Sequence, residues 1–297
     1  MEFLAQRIRR ILSTNRIFRM KGTTINFSFR YKIMNKTYYL PFPMKKLYST
    51  LVLILTFSIL VSSCGEADPN AGFPLDKQYW NPDDYTSVIH KINYETPEGA
   101  EYPRFDDPTT SPIIKKMTDH ENYKVILEDK ERGVKNRNEI SDLFMTNYKN
   151  MYTLYSRQDV QDKFIYSEEL VAIEHFGLGL QLLYFGLGNE ALLEEADDPE
   201  SPRVQNIVYR NINALIGNYN QYLDYMDDES ALSDEAIDSY VKGMDTYFTR
   251  LYKKYPDADY ARTISKATLM LKKAKSDKVK SALTRLIKLF RHRSGCT

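Results

Sequence analysis

Four polar residues within eight positions of one another are the first candidates for chemistry. Glu168 and Glu169 are followed by Glu174 and His175. Carboxylates beside a histidine can bind a metal ion or act as a general acid and base. The di-iron helical bundles use Glu-x-x-His twice, and none of the four histidines here has a glutamate three residues before it. The pattern favours a solvated acidic face that carries one hydrogen-bonded histidine.

Other catalytic and cofactor motifs are missing from the sequence. It contains no His-Glu-x-x-His, Gly-x-Ser-x-Gly or phosphate-binding loop. Its two cysteines, Cys64 and Cys296, are too few for a disulfide scaffold or a thiolate zinc site. We therefore predict a protein that is not an enzyme and that uses no metal or cofactor.

A glycine-rich segment follows the acidic residues. Phe-Gly-Leu-Gly occurs at 176–179 and again at 185–188. Each glycine inside a helix is less favourable than alanine by about 1 kcal/mol, so four of them need a structural reason. Close packing of a neighbouring element is the expected reason, and a ligand lying against the backbone is the alternative. The spacing does not match a dinucleotide-binding fingerprint.

The N-terminal region has the composition of a targeting segment. Residues 1–46 contain eleven lysines and arginines and a single acid, Glu2. From Met44 the chain has two lysines, an apolar run over 47–61 and two small serines, which together predict a secretory signal peptide over 44–63. We interpret residues 1–43 as an upstream extension of the reading frame. An organellar transit peptide is the alternative for residues 1–43, and an uncleaved membrane helix is the alternative to the signal peptide.

The segment Val61-Ser62-Ser63-Cys64 resembles the lipobox of bacterial lipoproteins. The resemblance implies that the chain is cut before Cys64 and that this cysteine carries a diacylglycerol and a further fatty acyl chain, such as palmitate. It implies attachment to a membrane of the cell envelope. Gly65 stands where an aspartate favours retention in the inner membrane, so the outer membrane is expected.

Residues 64–111 differ in composition from the rest of the mature chain. Seven of the twelve prolines lie between Gly65 and Pro112, a density that predicts irregular structure. We expect an extended tether over roughly 65–78 and then an irregular segment docked on the domain. Its apolar side chains, including the single tryptophan, supply the docking surface: Tyr79, Trp80, Tyr85, Val88, Ile89, Ile92 and Tyr94.

Helical periodicity dominates residues 112–293, and residues 294–297 form a short tail. Apolar residues recur every three or four positions, and strand-like alternation is almost absent. Ser111, Ser201 and Ser233 are the expected N-caps, the first two preceding a proline. The prediction is an all-α domain, a helical bundle or helix-pair array of about six or seven helices.

Charge is distributed unevenly along the mature chain. Residues 64–252 carry a net charge of −19, and residues 253–293 carry +10. The basic side chains predicted to lie away from the apolar stripe of the last helix are Lys278, Lys280, Arg285, Lys288 and Arg291. This basic surface can neutralise the acidic body, contact anionic lipid headgroups or bind an acidic partner. Nucleic acid is not expected as a partner of an exported protein.

These observations together predict a membrane-anchored envelope lipoprotein with a helical binding or scaffolding domain. A ligand-binding lipoprotein for nutrient capture is the alternative, with tyrosines and Trp80 as stacking surfaces. An envelope hydrolase that uses the four polar residues at 168–175 is the third. A ligand binder requires a concave tyrosine-lined pocket, whereas a hydrolase requires the carboxylates and His175 to converge in one cleft.

Overall fold

The computed structural model describes residues 70–97, 100–156 and 165–291, and nothing is described for the side chains of residues 226 and 227. Over these residues the fold is all-α, as predicted, and contains no strand. The α-helices in chain order are α1 (Pro82–Glu95), α2 (Ser111–Met117), α3 (Glu121–Leu127), α4 (Val134–Ser156), α5 (Ser167–Glu195), α6 (Pro202–Tyr222), α7 (Asp234–Lys254), α8 (Ala261–Lys273) and α9 (Asp277–Arg291). Two 3-10 segments span Lys130–Arg132 and Leu223–Ala231.

Helix α1 corrects the prediction that the proline-rich region is irregular. Pro82 occupies the first turn of the helix, where its missing N–H has no intrahelical acceptor to lose. The Asn81 side chain accepts hydrogen bonds from the backbone N–H groups of Asp83 and Asp84, and the Asp84 carboxylate accepts one from Asn81 N. This capping box begins a 14-residue helix that includes Pro82, although the density of prolines was expected to exclude any helix here.

The predicted docking of the segment around Trp80 is confirmed. The side chains of Trp80, Tyr85, Val88 and Ile92 are fully buried, whereas that of Tyr94 is 71% exposed. The Trp80 indole N–H donates to Pro74 O at 2.8 Å, and its ring meets the Tyr85 ring edge-on. Trp80 is thus a packing residue rather than a ligand-stacking surface.

Residues 70–78 lie against the domain and are not an extended tether. Asn70 Nδ2 donates to Thr109 O at 2.9 Å, and the Lys91 ammonium lies over the ring of Phe73. Residues 65–69, the rest of the predicted tether, lie outside the described residues.

Helix α5 is the centre of the bundle. One of its faces packs with α1–α4, where Ile173 and Phe176 are fully buried. The opposite face contributes Val171 and Leu178 to a second core formed with α6–α9. A helix covered on both sides is apolar all round, which explains its lack of an amphipathic stripe. It has the length and hydropathy of a membrane span, but burial within the bundle accounts for the same composition.

The three serines predicted as N-caps lie within one residue of helix starts. Ser233 Oγ accepts a hydrogen bond from Ala236 N at 3.1 Å and caps α7. Ser201 occupies the N-cap position of α6, but its hydroxyl donates to Asp198 O instead of capping the helix. The N-cap of α2 is Thr110, so Ser111 is the first helical residue and not the cap.

Candidate functional site

The four polar residues at 168–175 do not form one cluster. Glu168 lies beside the hydroxyl of Ser233, and Glu169 accepts a hydrogen bond from Phe105 N at 2.7 Å. Because successive residues of an α-helix are rotated by about 100°, neighbours along α5 face different elements. Glu169 and Glu174 are also buried instead of forming a solvated acidic face. The convergence that a hydrolase would require is therefore absent from these four residues.

His175 is a hydrogen-bonded histidine of the second core. Its Nε2 lies 2.8 Å from the Tyr222 hydroxyl, which donates its proton to Tyr240 O at 2.9 Å. The Tyr222 oxygen must then accept from His175, which places the imidazole proton on Nε2. Burial lowers the pKa of His175 to about 4, so the ring is neutral at pH 7. Gly243 on α7 leaves the space that this ring occupies.

A cavity of about 710 Å³ opens between α4, α5 and α6. The α4 residues that line the cavity share one face of that helix. The lining residues of α5 are two turns apart, and those of α6 are one turn apart. The wall is formed largely by tyrosines, amides and two acids. Its members are Met145, Tyr148, Lys149, Tyr152, Thr153, Glu174, Gln181, Asn218, Gln221, Asp224 and Tyr225.

Glu174 is the buried acid of this cavity. The Tyr225 hydroxyl donates to Glu174 Oε1 at 3.2 Å, and the Tyr148 hydroxyl also stabilises the ionised carboxylate by hydrogen bonding. Burial nevertheless raises the pKa of Glu174 to about 7. Among the described side chains, no lysine, arginine or histidine forms an ion pair with it. Glu174 is thus a buried carboxyl group whose pKa lies near neutral pH and which has no cationic partner among the described residues.

Gln181 is the second unusual group in the wall. Its side chain is 5% exposed, and its Oε1 has no hydrogen-bond donor within the described part of the chain. Leaving a buried amide oxygen unpaired destabilises a protein by about 1–3 kcal/mol. Glu174 and Gln181 are seven residues apart, which is roughly 10 Å along the helix axis.

A glycine of α5 determines where Tyr148 lies. Gly177 has no side chain, and a Cβ atom there would overlap the Tyr148 ring. The ring therefore packs directly against the backbone of α5, one turn from Glu174, and brings its hydroxyl to that carboxylate. Gly179 leaves room for the Tyr123 hydroxyl and the His120 ring in the same way. The prediction that the glycines serve close packing is confirmed for these two positions.

Sequence reasoning missed most of the cavity wall. Tyr148, Tyr152 and Gln181 were not singled out, although a signal was present. Between residues 170 and 184 of α5, the polar side chains are Glu174, His175 and Gln181 alone. A polar group on a helix that is buried all round needs a partner, and this requirement points to the elements that face it.

Comparisons of the chain with protein-family models, with curated proteins and with solved structures give no match.

The predicted basic surface is partly neutralised within the protein. Arg285 forms two hydrogen bonds to the Asp245 carboxylate, at 3.1 and 2.6 Å. Lys278 pairs with Asp238 on α7, and Lys280 pairs with Asp277 on its own helix. Lys288 lines a shallow groove beside Arg285, and Arg291 is the exposed last residue of α9. These contacts fit the interpretation that the basic end offsets the acidic body.

Two further predicted features were a lipidated cysteine and the absence of a metal site. Cys64 lies outside the described residues. Within residues 70–97, 100–156 and 165–291, no three His, Cys, Asp or Glu side chains come together as a metal site would require.

Proposed function

We propose that this protein is a bacterial cell-envelope lipoprotein, anchored through Cys64, whose helical domain binds a small molecule in the tyrosine-lined cavity. The lipobox-like segment at 61–64 supports the anchor. The cavity supports ligand binding over a purely scaffolding role. Its volume lies within the range of about 300–1,000 Å³ that small-molecule sites occupy.

The observation that supports the binding role best is that Glu174 and Gln181 lie in the same wall of the cavity. Both residues line the cavity and are at least nine-tenths buried; among the described residues Glu174 has no cationic partner, and the enclosed Gln181 Oε1 accepts no hydrogen bond. Tyrosines, which combine an apolar ring with a polar tip, form the surrounding wall. Such a surface offers area for contact together with a few polar groups that orient a ligand.

The surroundings of Glu174 favour binding over catalysis. The hydroxyl of Thr153 donates to the Lys149 backbone carbonyl at 2.8 Å instead of to Glu174, so the carboxylate does not activate it as a nucleophile. Asp224, the other acid of the wall, is paired with Lys266. His175 faces the opposite core.

The anchor is tested by metabolic labelling with an alkyne-tagged fatty acid in a bacterium that processes lipoproteins. We expect the wild-type chain to incorporate the label and to sediment with membranes. Cys64→Ser is expected to lose the label and to keep the uncleaved signal segment. Equal labelling of the two chains would refute the anchor at Cys64 and leave the cavity unaffected.

Ligand binding is tested on the full-length protein, purified from membranes in detergent and then denatured to release bound compounds for mass spectrometry. Asn218→Trp places a large ring in the cavity wall from the half-buried face of α6. Asn213→Trp is the matched control, because Asn213 is half-buried on the same helix but does not line the cavity.

We expect the wild-type protein and the control to release one compound in near-stoichiometric amount, and Asn218→Trp to release none. If the wild-type protein releases nothing and no compound of a metabolite panel raises its Tm, the binding role is wrong. The scaffolding role would then be the better proposal.

A further inference from the structure

We propose that the cavity binds an organic cation, with the Glu174 carboxylate as the counter-ion of an ammonium or guanidinium group and with tyrosine rings as its walls. The proposal rests on the proposed ligand-binding role and names the chemical class of the ligand. It follows from the charges, the hydrogen-bonding groups and the aromatic rings that face the cavity.

Charge is the first argument. Glu174 is buried without a cation among the described residues, whereas the neighbouring Asp224 is already paired with Lys266. The remaining charged group of the wall, Lys149, is exposed to solvent. A buried carboxylate is stabilised by an opposite charge, which a cationic ligand brings into the cavity.

Hydrogen bonding is the second argument. Among the described residues, the Glu174 carboxylate oxygens accept hydrogen bonds only from the neutral phenols of Tyr225 and Tyr148, and they have lone pairs for further donors. An ammonium or guanidinium group supplies only donors, which matches them.

Aromatic rings are the third argument. Tyr152 meets Tyr225 edge-on at a centroid distance of 6.4 Å, and Tyr148 is held nearby in the space beside Gly177. The faces of such rings attract cations, and cages of aromatic rings are a recurrent way to bind an alkylated ammonium group. A neutral sugar would also use tyrosines and amides, but it would leave Glu174 without a counter-charge.

The test uses isothermal titration calorimetry on the full-length protein in detergent at pH 8, with two pairs of probes matched in shape. Choline is compared with 3,3-dimethylbutan-1-ol, and 1,5-diaminopentane is compared with 1,5-pentanediol. Within a pair, the two compounds differ chiefly in their positive charge. We expect at least one cation to bind tenfold or more tightly than its neutral partner.

Two variants locate the effect. Glu174→Gln keeps the shape and the acceptor oxygen but removes the charge, so it is expected to abolish the preference for the cation. Glu168→Gln is the control, because Glu168 lies on the same helix beside Ser233 and outside the cavity. Circular dichroism and Tm measurements establish that both variants are folded.

Each outcome decides the proposal. Equal or undetectable binding of both members of each pair overturns it, as does an unchanged preference in Glu174→Gln. If a neutral or anionic compound is released from the wild-type protein and not from Asn218→Trp, ligand binding holds and the cation is wrong. If no compound is released at all and no probe binds, both proposals fail.

Discussion

Glu174 shows how a single residue acquires its properties from its surroundings. In the sequence it is one of three nearby glutamates, and only its place within the apolar stretch of residues 170–183 distinguishes it from Glu168 and Glu169. In the fold it lies in a cavity wall, and burial raises its pKa to about 7 while two phenols partly offset that effect. The energetic consequence is that the charge of this carboxylate opposes folding above neutral pH.

The stability of the protein is expected to depend on this titration. The pKa of Glu174 rises from an ordinary 4.5 to about 7 in the folded state, so the folded state binds this proton more tightly than the unfolded state does. The resulting stabilisation is complete below about pH 4.5 and is lost as the pH rises through 7. Glu174→Gln has no carboxyl group to ionise at this position. Its free energy of unfolding, minus that of the wild-type protein, should therefore increase by about 2–3 kcal/mol from pH 4.5 to pH 8.

Urea unfolding of both proteins at the two pH values measures this difference. His120 and His175 act in the opposite sense, since burial lowers the pKa of each to about 4 and the fold loses stability as the pH falls below 6.5. Their contribution is common to the two proteins and cancels in the comparison. Parallel pH profiles for wild type and variant would show that Glu174 is not buried as described.

At the scale of the element, α5 combines two requirements that normally conflict. It is covered on both sides by apolar cores, and it also carries glycines that weaken an isolated helix. Gly177 and Gly179 are tolerated because the aromatic side chains of Tyr148, Tyr123 and His120 occupy the space beside them. Gly177 thus lowers the helix propensity of α5 and in return allows the Tyr148 ring to pack at the cavity.

Two glycine substitutions are expected to have opposite effects. Gly177→Ala places a methyl group where the Tyr148 ring lies, so we expect a loss of about 1–3 kcal/mol in unfolding free energy together with weaker ligand binding. Gly217→Ala on α6 meets no atom within 4 Å and should stabilise the protein by about 0.5–1 kcal/mol. Chemical denaturation measures both, and a neutral Gly177→Ala would contradict the packing described for Tyr148.

At the scale of the whole molecule, charge is arranged so that the basic C-terminal helices face the acidic body. Residues 64–252 carry −19 and residues 253–293 carry +10, and α9 reaches α7 through the pairs of Arg285 with Asp245 and Lys278 with Asp238. All four side chains are exposed, so solvent screens each pair. The two pairs lower the charge repulsion within the molecule but contribute little to the stability of the contact between α9 and α7.

Removing one of these pairs should therefore have a small effect on stability. Arg285→Ala is expected to lower the free energy of unfolding by less than about 1 kcal/mol, and the difference should diminish in 0.5 M salt. Leu283→Ala on the same helix, a fully buried position, should lower it by about 2–5 kcal/mol at either salt concentration. A large, salt-insensitive effect of Arg285→Ala would mean that the pair is part of the core.

The sequence by itself determined the all-α class and the starts of α2, α6 and α7 to within one residue, because periodicity and caps such as Ser233 are local properties of the chain. It failed at α1, where proline density hid a capping box that needs only Asn81 and Asp84. Cys64 stays a prediction of the sequence alone.

Only the tertiary structure decided the candidate site. It separated the four polar residues at 168–175, because a helix turns its neighbours to different sides. It also brought Tyr148 and Tyr225, which lie 26 and 51 positions from Glu174 in the chain, to one carboxylate. The burial that shifts its pKa is produced by packing between distant segments, and no local pattern in the sequence encodes it.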